Sequence, residues 1–101
     1  MNTVPDVLHT LSGVLDPDVG INVVDLGLVE AVEVAPGRVR VGLIMTTPAC
    51  PQSSYLCDEA ERLLRDAAAD GTAVDVDILP EPLWSPDRLS PAARSQLGWP
   101  A

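Results

Sequence analysis

The spacing of apolar residues along the chain predicts alternating helices and strands. In residues 3–15, apolar side chains recur at the i, i+3, i+4 and i+7 positions of an amphipathic helix, namely Val4, Val7, Leu8, Leu11, Val14 and Leu15. Thr3 suits the N-cap, and we expect the helix to end by Asp16, because Pro17 disfavours the α conformation in the residue before it. His9 falls outside the apolar stripe, so we expect it to face solvent and assign it no chemistry.

Two segments with alternating side chains, residues 28–34 and 39–45, predict an antiparallel hairpin. The residues between them, 35–38, carry proline at the second and glycine at the third position, as suits a type II turn. A tight turn there puts valines opposite valines on one face and Glu33 opposite Arg40 on the other. The hydrophobic pattern and the turn therefore specify the same register.

The segment that precedes this hairpin carries one acidic residue, Asp25, in an otherwise apolar run that we expect to be extended. Gly27 interrupts the run and indicates a bulge or the close approach of another backbone. If the hairpin pairing continues to its open end, Asp25 lies opposite Pro48 and Gly27 opposite Thr46. We therefore expect Asp25 to lie beside the loop that carries Cys50.

Residues 51–69 predict a second helix with one aliphatic arc and one charged arc. Pro51 suits the first helical position, which makes Cys50 the N-cap or its neighbour. Two ion pairs of the favourable i, i+4 orientation are predicted on the charged arc: Asp58 with Arg62, and Glu61 with Arg65.

The last third of the chain predicts one more strand and a docked tail. Residues 72–79 alternate Val or Ile with Asp, and the preceding helix makes this strand parallel to the second one. In the Pro- and Trp-rich tail, residues 80–101, Ser90 caps a short helix, Pro91 opens it and Gly98 ends it. Four apolar residues are expected to dock the tail onto the body: Trp84, Leu89, Leu97 and Trp99.

The element order α-β-β-α-β-α predicts an α+β fold. With 101 residues, the chain suits one domain with one core, spanning residues 1–101. We expect a two-layer domain in which the helices cover one face of a small, mixed, three-stranded sheet.

The charge of the chain excludes several classes of partner. The formal net charge is −9, with six Arg and no Lys. Such an acidic chain is repelled by nucleic-acid phosphates and by anionic membrane surfaces. No apolar run approaches the roughly 20 residues of a membrane span, and no signal peptide is evident, so we expect a cytoplasmic protein.

Cys50 is the strongest candidate for chemistry. Unpaired amides at a helix N-terminus lower the pKa of a thiol, and the thiolate attacks electrophiles or binds soft metals. The alternative is that Cys50 is a small buried apolar residue. The second cysteine, Cys57, lies too far along the helix for a disulfide unless the first turns unwind, and a core role is favoured for it.

Asp25 needs a polar partner in its apolar surroundings. The candidates are the hydroxyls of Thr46 and Thr47 and the free amides at the start of the second helix. Asp25 either ties its loop to that helix end or acts as a second ligand or proton acceptor beside Cys50, and these roles are compatible.

Several kinds of catalytic and metal site have no counterpart in the sequence. Zinc-ligand spacing, phosphate-binding glycine motifs and a nucleophile paired with a histidine are all missing. One chain offers too few soft ligands for a closed metal site, so a cluster would be shared between chains, completed by a partner or held transiently. We expect no self-sufficient enzyme.

Four groups of residues together resemble the metal-sulfur cluster assembly family that includes SufT-like and PaaD-like proteins. They are DPDVG at 16–20, NVVDLGLV at 22–29, TTPACP at 46–51, and the tail segment PLWS at 82–85 with Leu89-Ser90 and Leu97-Gly98. The resemblance covers roughly residues 4–99. PaaD-like members often carry a Cys-rich C-terminal extension, and its absence here favours the single-domain, SufT-like group.

The resemblance implies a small α+β domain that helps to mature iron-sulfur proteins as a scaffold, carrier or targeting adaptor. The functional cysteine of the family maps onto Cys50 and its acid onto Asp25. Thr46 and Thr47 match the hydroxyl positions, and Gly27 belongs to the same motif. The implied partners are the cluster-assembly machinery and apo client proteins. The implied cofactor is a transient iron-sulfur cluster or metal ion.

Two hypotheses follow, and a third is disfavoured. In the first, Cys50 is the exposed thiolate ligand, and a homodimer that pools two such thiols is one way to complete the site. In the second, the protein is a metal-free adaptor, or an accessory subunit of an oxygenase-type complex, which presents its acidic surface and Trp84 and Trp99 to a partner. A thiol-dependent redox protein is disfavoured because the spacing of the cysteines supplies no resolving thiol.

Overall fold

The elements follow one another in the predicted order. The computed structural model describes residues 3–17, 19–45 and 53–98. Its elements are α1 (Val4–Leu11), β1 (Val29–Ala35), β2 (Arg38–Leu43), α2 (Ser53–Ala67), β3 (Ala73–Ile78), a 3₁₀ turn (Pro86–Arg88) and α3 (Pro91–Leu97). The α+β class is confirmed. The 3₁₀ turn was not foreseen.

The sheet has the order β1-β2-β3, with β2 antiparallel to β1 and parallel to β3. The predicted register of the hairpin is confirmed, since Val34 faces Val39 and Glu33 faces Arg40. Gly37 has a φ of +74°, which the third position of a type II turn requires. Alternation then gives the sheet one aliphatic face, against which the helices pack, and one charged face.

The pairing changes at the open end of the hairpin. The register shifts by one residue between Val29 and Ala31, which makes Glu30 the extra residue of a bulge. The last bond at this end joins the Ile44 N–H to the Leu28 carbonyl, with the two atoms 2.8 Å apart. The bulge therefore lies in β1 and not at Gly27.

The expected extended run before β1 is wrong, because residues 23–27 form turns. Hydrogen bonds between near neighbours replace the ladder there, so hairpin pairing does not continue to Asp25. Thr46 and Pro48, the expected partners at that end, lie outside the described residues.

The first helix starts where expected but ends earlier. The Thr3 side chain accepts the Asp6 N–H at 3.2 Å, as an N-cap does. The helix stops at Leu11, with Ser12 as the C-cap, because the next residue, Gly13, is a poor helix former. Val14 is nevertheless buried, whereas Leu15 is half exposed and bridges to Asn22; His9 is exposed as expected.

The second helix packs its aliphatic arc on the sheet, and its charged arc differs in one ion pair from the prediction. Arg65 pairs with Glu61 as expected. Arg62 instead reaches Glu59 at 2.9 Å and Asp66 at 3.7 Å, so the predicted pair with Asp58 is wrong. The guanidinium is within reach of acids three positions before it and four after it, and these compete with Asp58. The predicted helix start at Pro51 lies outside the described residues.

The tail docks onto the body as predicted. Ser90 accepts the Ala93 N–H and caps α3, and Gly98 ends that helix in the left-handed conformation. The core draws on all three helices and the sheet, and its fully or nearly fully buried members are Val7, Leu11, Val14, Ile21, Val23, Leu26, Leu28, Val39, Val41, Leu43, Leu56, Ala60, Leu64, Val74, Leu89 and Ala93. Trp84 and Leu97 pack against it, and Trp99 lies outside the described residues.

None of the helices in the described ranges has the length and apolar character needed to cross a bilayer.

Candidate functional site

Residues 22–27, here the Asp25 turn, form one helical turn that is capped by its own side chains. The Asn22 Oδ1 accepts the Asp25 backbone N–H at 2.9 Å, and the Asp25 Oδ2 accepts a hydrogen from the Asn22 Nδ2 at 2.8 Å. The Leu26 N–H donates to the Asn22 carbonyl at 3.0 Å and closes the turn. This reciprocal pairing resembles a capping box, and it fixes the carboxylate of Asp25 over the start of the turn.

The end of the Asp25 turn has the bonds of a Schellman motif. The Gly27 N–H donates to the Val24 carbonyl and the Leu28 N–H to the Val23 carbonyl, each at 3.0 Å. Gly27 takes the left-handed conformation that this motif requires, with a φ of +75°. Val23 and Leu28 are both buried in the core, as usually accompanies the motif.

The last carbonyls of a helical turn have no partner within the turn, and here the tail supplies the donors. Residues 84–90, here the C-terminal strap, bond three successive carbonyls of the Asp25 turn. The bonds are Ser90 N–H to Asp25 (2.8 Å), Trp84 Nε1–H to Leu26 (2.7 Å) and Arg88 Nε–H to Gly27 (2.7 Å). The strap therefore holds the turn by bonding to the main-chain carbonyls of the turn.

Arg88 makes two attachments with one guanidinium. Besides the Gly27 carbonyl, it binds Glu30, with 2.8 Å between Nη2 and Oε2. Gly27 also has no room for a side chain, because a Cβ would come within 2.5 Å of the Arg88 Cβ. The close backbone approach expected at Gly27 is thus confirmed, and the approaching residue is Arg88.

The structure places part of the predicted site. Asp25 and Gly27 lie together in the Asp25 turn, and Trp84 is docked against it. Cys50, Thr46, Thr47 and Trp99 lie outside the described residues, so the proximity of Asp25 to Cys50 stays a prediction.

The described chain nevertheless approaches the Asp25 turn on the way to Thr46. The bond between the Ile44 N–H and the Leu28 carbonyl puts the end of β2 beside the residue that follows Gly27. Only Met45 lies between Ile44 and Thr46 along the chain. This geometry is what the predicted proximity requires.

Cys57 is a poor candidate for a metal-binding thiolate. Its side chain is half buried against the core, and desolvation raises the pKa of its thiol. The carboxylates of Asp58, Asp77 and Glu61 raise this pKa further, because they repel a negative sulfur. The favoured core role of Cys57 agrees with this packing.

The donors within the described ranges do not fit a resident metal or cluster. No group of three or more His, Cys, Asp or Glu among them lies close enough to hold a metal ion. Asp25 uses one carboxylate oxygen on Asn22, and Cys57 favours its protonated form. A metal or cluster bound by this part of the chain would need ligands from elsewhere.

Sequence reasoning missed three residues that build the site, namely Asn22, Arg88 and the backbone of Ser90. A signal existed for Asn22, because a capping residue three positions before an acid is typical of a helical N-terminus. The apolar run around it favoured a strand instead. Arg88 left no signal, since its contact is a main-chain carbonyl 61 positions away.

Comparison with known proteins places this geometry in a family context. Residues 5–78 match the family described as "Iron-sulfur cluster assembly protein", a range that contains the Asp25 turn and ends before the C-terminal strap. The "Fe-S protein maturation auxiliary factor" of Porphyromonas gingivalis is 33% identical over 98% of this chain and 94% of that protein. The "Fe-S protein maturation auxiliary factor SufT" of Staphylococcus aureus is 33% identical over 84% of this chain and 97% of that protein.

A solved structure agrees with these sequence matches. The crystal structure of a domain of unknown function, DUF59, from Bacillus anthracis superposes with a TM-score of 0.87 at 26% identity, over 93% of this chain and 90% of that one. The matched fold therefore takes in nearly the whole chain. With the family match over residues 5–78, these likenesses show that the chain belongs to the iron-sulfur cluster assembly protein family.

Proposed function

We propose that this protein assists the maturation of iron-sulfur proteins as a scaffold, carrier or targeting adaptor, with the Cys50 thiolate as the ligand that holds the cluster in transit. The observation that supports this most is the family match over residues 5–78, which takes in the segments with both Asp25 and Cys50. Relatives that align with nearly the full chain are named maturation auxiliary factors, which fits an accessory role and not a catalytic one.

Cys50 is the natural soft ligand because the other thiol is unsuited. The pKa of Cys57 is raised by burial and by nearby acids, so it stays protonated at neutral pH. Cys50 lies three positions before Ser53, the first residue of α2, and a thiol close to free helix amides is favoured as the thiolate. One thiolate cannot complete a cluster site, so the remaining ligands come from the assembly machinery, an apo client or a second copy of this chain.

Asp25, Thr46 and Thr47 shape the pocket around that sulfur in this proposal. The carboxylate of Asp25 is held by Asn22, and its own carbonyl is held by Ser90, so its position is fixed from two sides. A fixed carboxylate can accept a proton from an incoming thiol or bind iron transiently. We place this activity in the cytoplasm, in line with the bacterial relatives that are named maturation auxiliary factors.

The test compares two single-thiol deletions in the same chain. Wild type, Cys50→Ala and Cys57→Ala are reconstituted anaerobically with iron and sulfide and then mixed with an apo-ferredoxin. We expect wild type and Cys57→Ala to take up iron and to activate the ferredoxin. Cys50→Ala should keep its circular dichroism spectrum and lose transfer, because its ligand sulfur is gone.

The same measurements separate this proposal from the adaptor alternative. Transfer by Cys50→Ala at the wild-type rate would remove Cys50 from the mechanism. If no variant takes up iron while the protein still captures purified assembly components or clients, a metal-free adaptor is the better description.

A further inference from the structure

We propose that Arg88 is a positioning residue, whose guanidinium locks the Asp25 turn onto β1 and so sets the place of the Asp25 carboxylate in the cluster-handling site. The inference rests on the proposed function for its consequence, but not for its geometry. Arg88 lies beyond residues 5–78, the range matched to the family.

The need for such a lock follows from the size of the Asp25 turn. A single helical turn gains few internal hydrogen bonds for the backbone dihedrals it fixes, so it is unstable on its own. Its capping pair of Asn22 and Asp25 holds the first half. The second half ends in carbonyls that point away from the turn and depend on donors from elsewhere.

Arg88 supplies a hydrogen bond at the residue that ends the Asp25 turn. Its Nε–H donates to the Gly27 carbonyl at 2.7 Å, and Gly27 is the left-handed residue that ends the turn. A charged donor makes a stronger hydrogen bond than a neutral one. The missing side chain of Gly27 lets the Arg88 backbone approach and brings the guanidinium within reach.

The bulge in β1 provides the second anchor. Because Glu30 is the extra residue between Val29 and Ala31, the strand bends there and the side chain is aimed differently from its neighbours. Its carboxylate meets the Arg88 Nη2 at 2.8 Å. The bulge, the glycine and the arginine thus form one arrangement that ties the Asp25 turn to the sheet.

Burial distinguishes this ion pair from the others on the sheet. The Arg88 and Glu30 side chains are 27% and 33% exposed, whereas those of Arg40 and Glu33 are 49% and 71% exposed and 3.9 Å apart. Solvent screens the second pair far more than the first. The forked guanidinium is also required, because lysine presents a single point of charge and cannot hold both acceptors in the same way.

The test uses a matched arginine deletion and two readouts. Arg88→Ala is compared with Arg40→Ala, which also removes an arginine paired to a β1 glutamate but does not contact the Asp25 turn, and with Arg88→Lys. Amide hydrogen exchange is followed by NMR at Leu26 and Gly27 and along β2. Cluster transfer to apo-ferredoxin is measured over a range of client concentrations.

We expect Arg88→Ala to speed exchange at the Asp25 turn while β2 stays protected. The maximal transfer rate should fall by roughly tenfold, as when an outer partner of a metal-binding residue is lost, with little change in the half-saturating client concentration. Arg88→Lys should fall between Arg88→Ala and wild type. Arg40→Ala should match wild type in both readouts.

Three outcomes would overturn the proposal. Unchanged exchange at the Asp25 turn in Arg88→Ala would show that other bonds hold it, and faster exchange everywhere would show a global loss of stability. Local loosening with an unchanged transfer rate would show that the position of the turn does not matter for transfer. If wild type transfers no cluster, the proposed function fails, and the lock then stands or falls on the exchange data alone.

Discussion

The β1–β2 hairpin and the Asp25 turn are neighbours in the chain and are held together in different ways. Partners in the hairpin lie close in sequence, none further apart than Val29 and Leu43, and a turn with a set conformation brings them together. The Asp25 turn is completed by the C-terminal strap, whose Trp84 and Arg88 donate from 58 and 61 positions away. The first region depends on local sequence, and the second depends on the rest of the fold.

The difference matters for where function can be tuned. Substitutions in the hairpin change strand pairing close to the substituted residue. Substitutions in the C-terminal strap change the Asp25 turn without altering any residue of that turn. Because the acceptors are main-chain carbonyls, only the donors, Trp84 and Arg88, can be varied by side-chain substitution.

The largest expected effect comes from closing the space at Gly27. In Gly27→Ala, an alanine would have to adopt the left-handed backbone conformation of Gly27. Its Cβ would also come within 2.5 Å of the Arg88 Cβ. The strain and the clash together should lower the free energy of unfolding by about 3 kcal/mol. Chemical denaturation followed by circular dichroism measures this loss.

Gly37 provides the matched control in the hairpin. Its φ of +74° is nearly that of Gly27, but a Cβ there would meet nothing within 4 Å. Gly37→Ala should therefore cost only the strain of the left-handed conformation, about 1 kcal/mol. Equal losses for the two variants would mean that the C-terminal strap does not press on the Asp25 turn.

A smaller effect is expected from removing the indole N–H of Trp84. Trp84→Phe keeps an aromatic ring on the core but leaves the Leu26 carbonyl without its 2.7 Å partner. An acceptor left unpaired in a half-buried place costs about 1–2 kcal/mol. The unfolding free energy should fall by that amount, and amide exchange at Leu28 should rise more than at Val41.

The neighbouring residue Leu83 serves as the control for this substitution. Its side chain is 74% exposed, so Leu83→Ala should change the unfolding free energy by less than about 0.5 kcal/mol. A Trp84→Phe variant as stable as Leu83→Ala would show that the indole bond contributes little to docking of the strap.

The sequence predicted the elements whose signals are local. Alternation and the Pro-Gly turn specified the hairpin register, and Ser90, Pro91 and Gly98 specified the ends of α3. The end of α1 was misplaced because the apolar period continues to Val14, which is buried although it lies outside the helix, after the turn at residues 12–13. Burial periodicity alone does not distinguish these two cases.

The site was predictable only in part, because most of its contacts join residues that are far apart in the sequence. Gly27 signalled a close approach, and Trp84 signalled a docked tail, because each is an unusual residue for its surroundings. The helical turn around Asp25 was hidden by its apolar neighbours, which favour a strand. The bond from Arg88 to the Gly27 carbonyl could not be foreseen, since every residue has a carbonyl and nothing in the sequence marks the one that is used.

The smallest expected effect concerns an ion pair that the sequence did predict. Glu33 and Arg40 face one another across the hairpin at 3.9 Å, with both side chains about half exposed or more. Glu33→Ala should change the unfolding free energy by less than about 0.5 kcal/mol, since solvent and salt screen such a pair.

Glu30→Ala, also in β1, should lower the unfolding free energy by about 1 kcal/mol, because it takes a partner from the less exposed Arg88. Denaturation of both variants at low and high salt gives the comparison. A larger loss for Glu33→Ala than for Glu30→Ala would reverse the order we expect. It would show that the ion pair within the hairpin stabilises the fold more than the ion pair between Glu30 and Arg88.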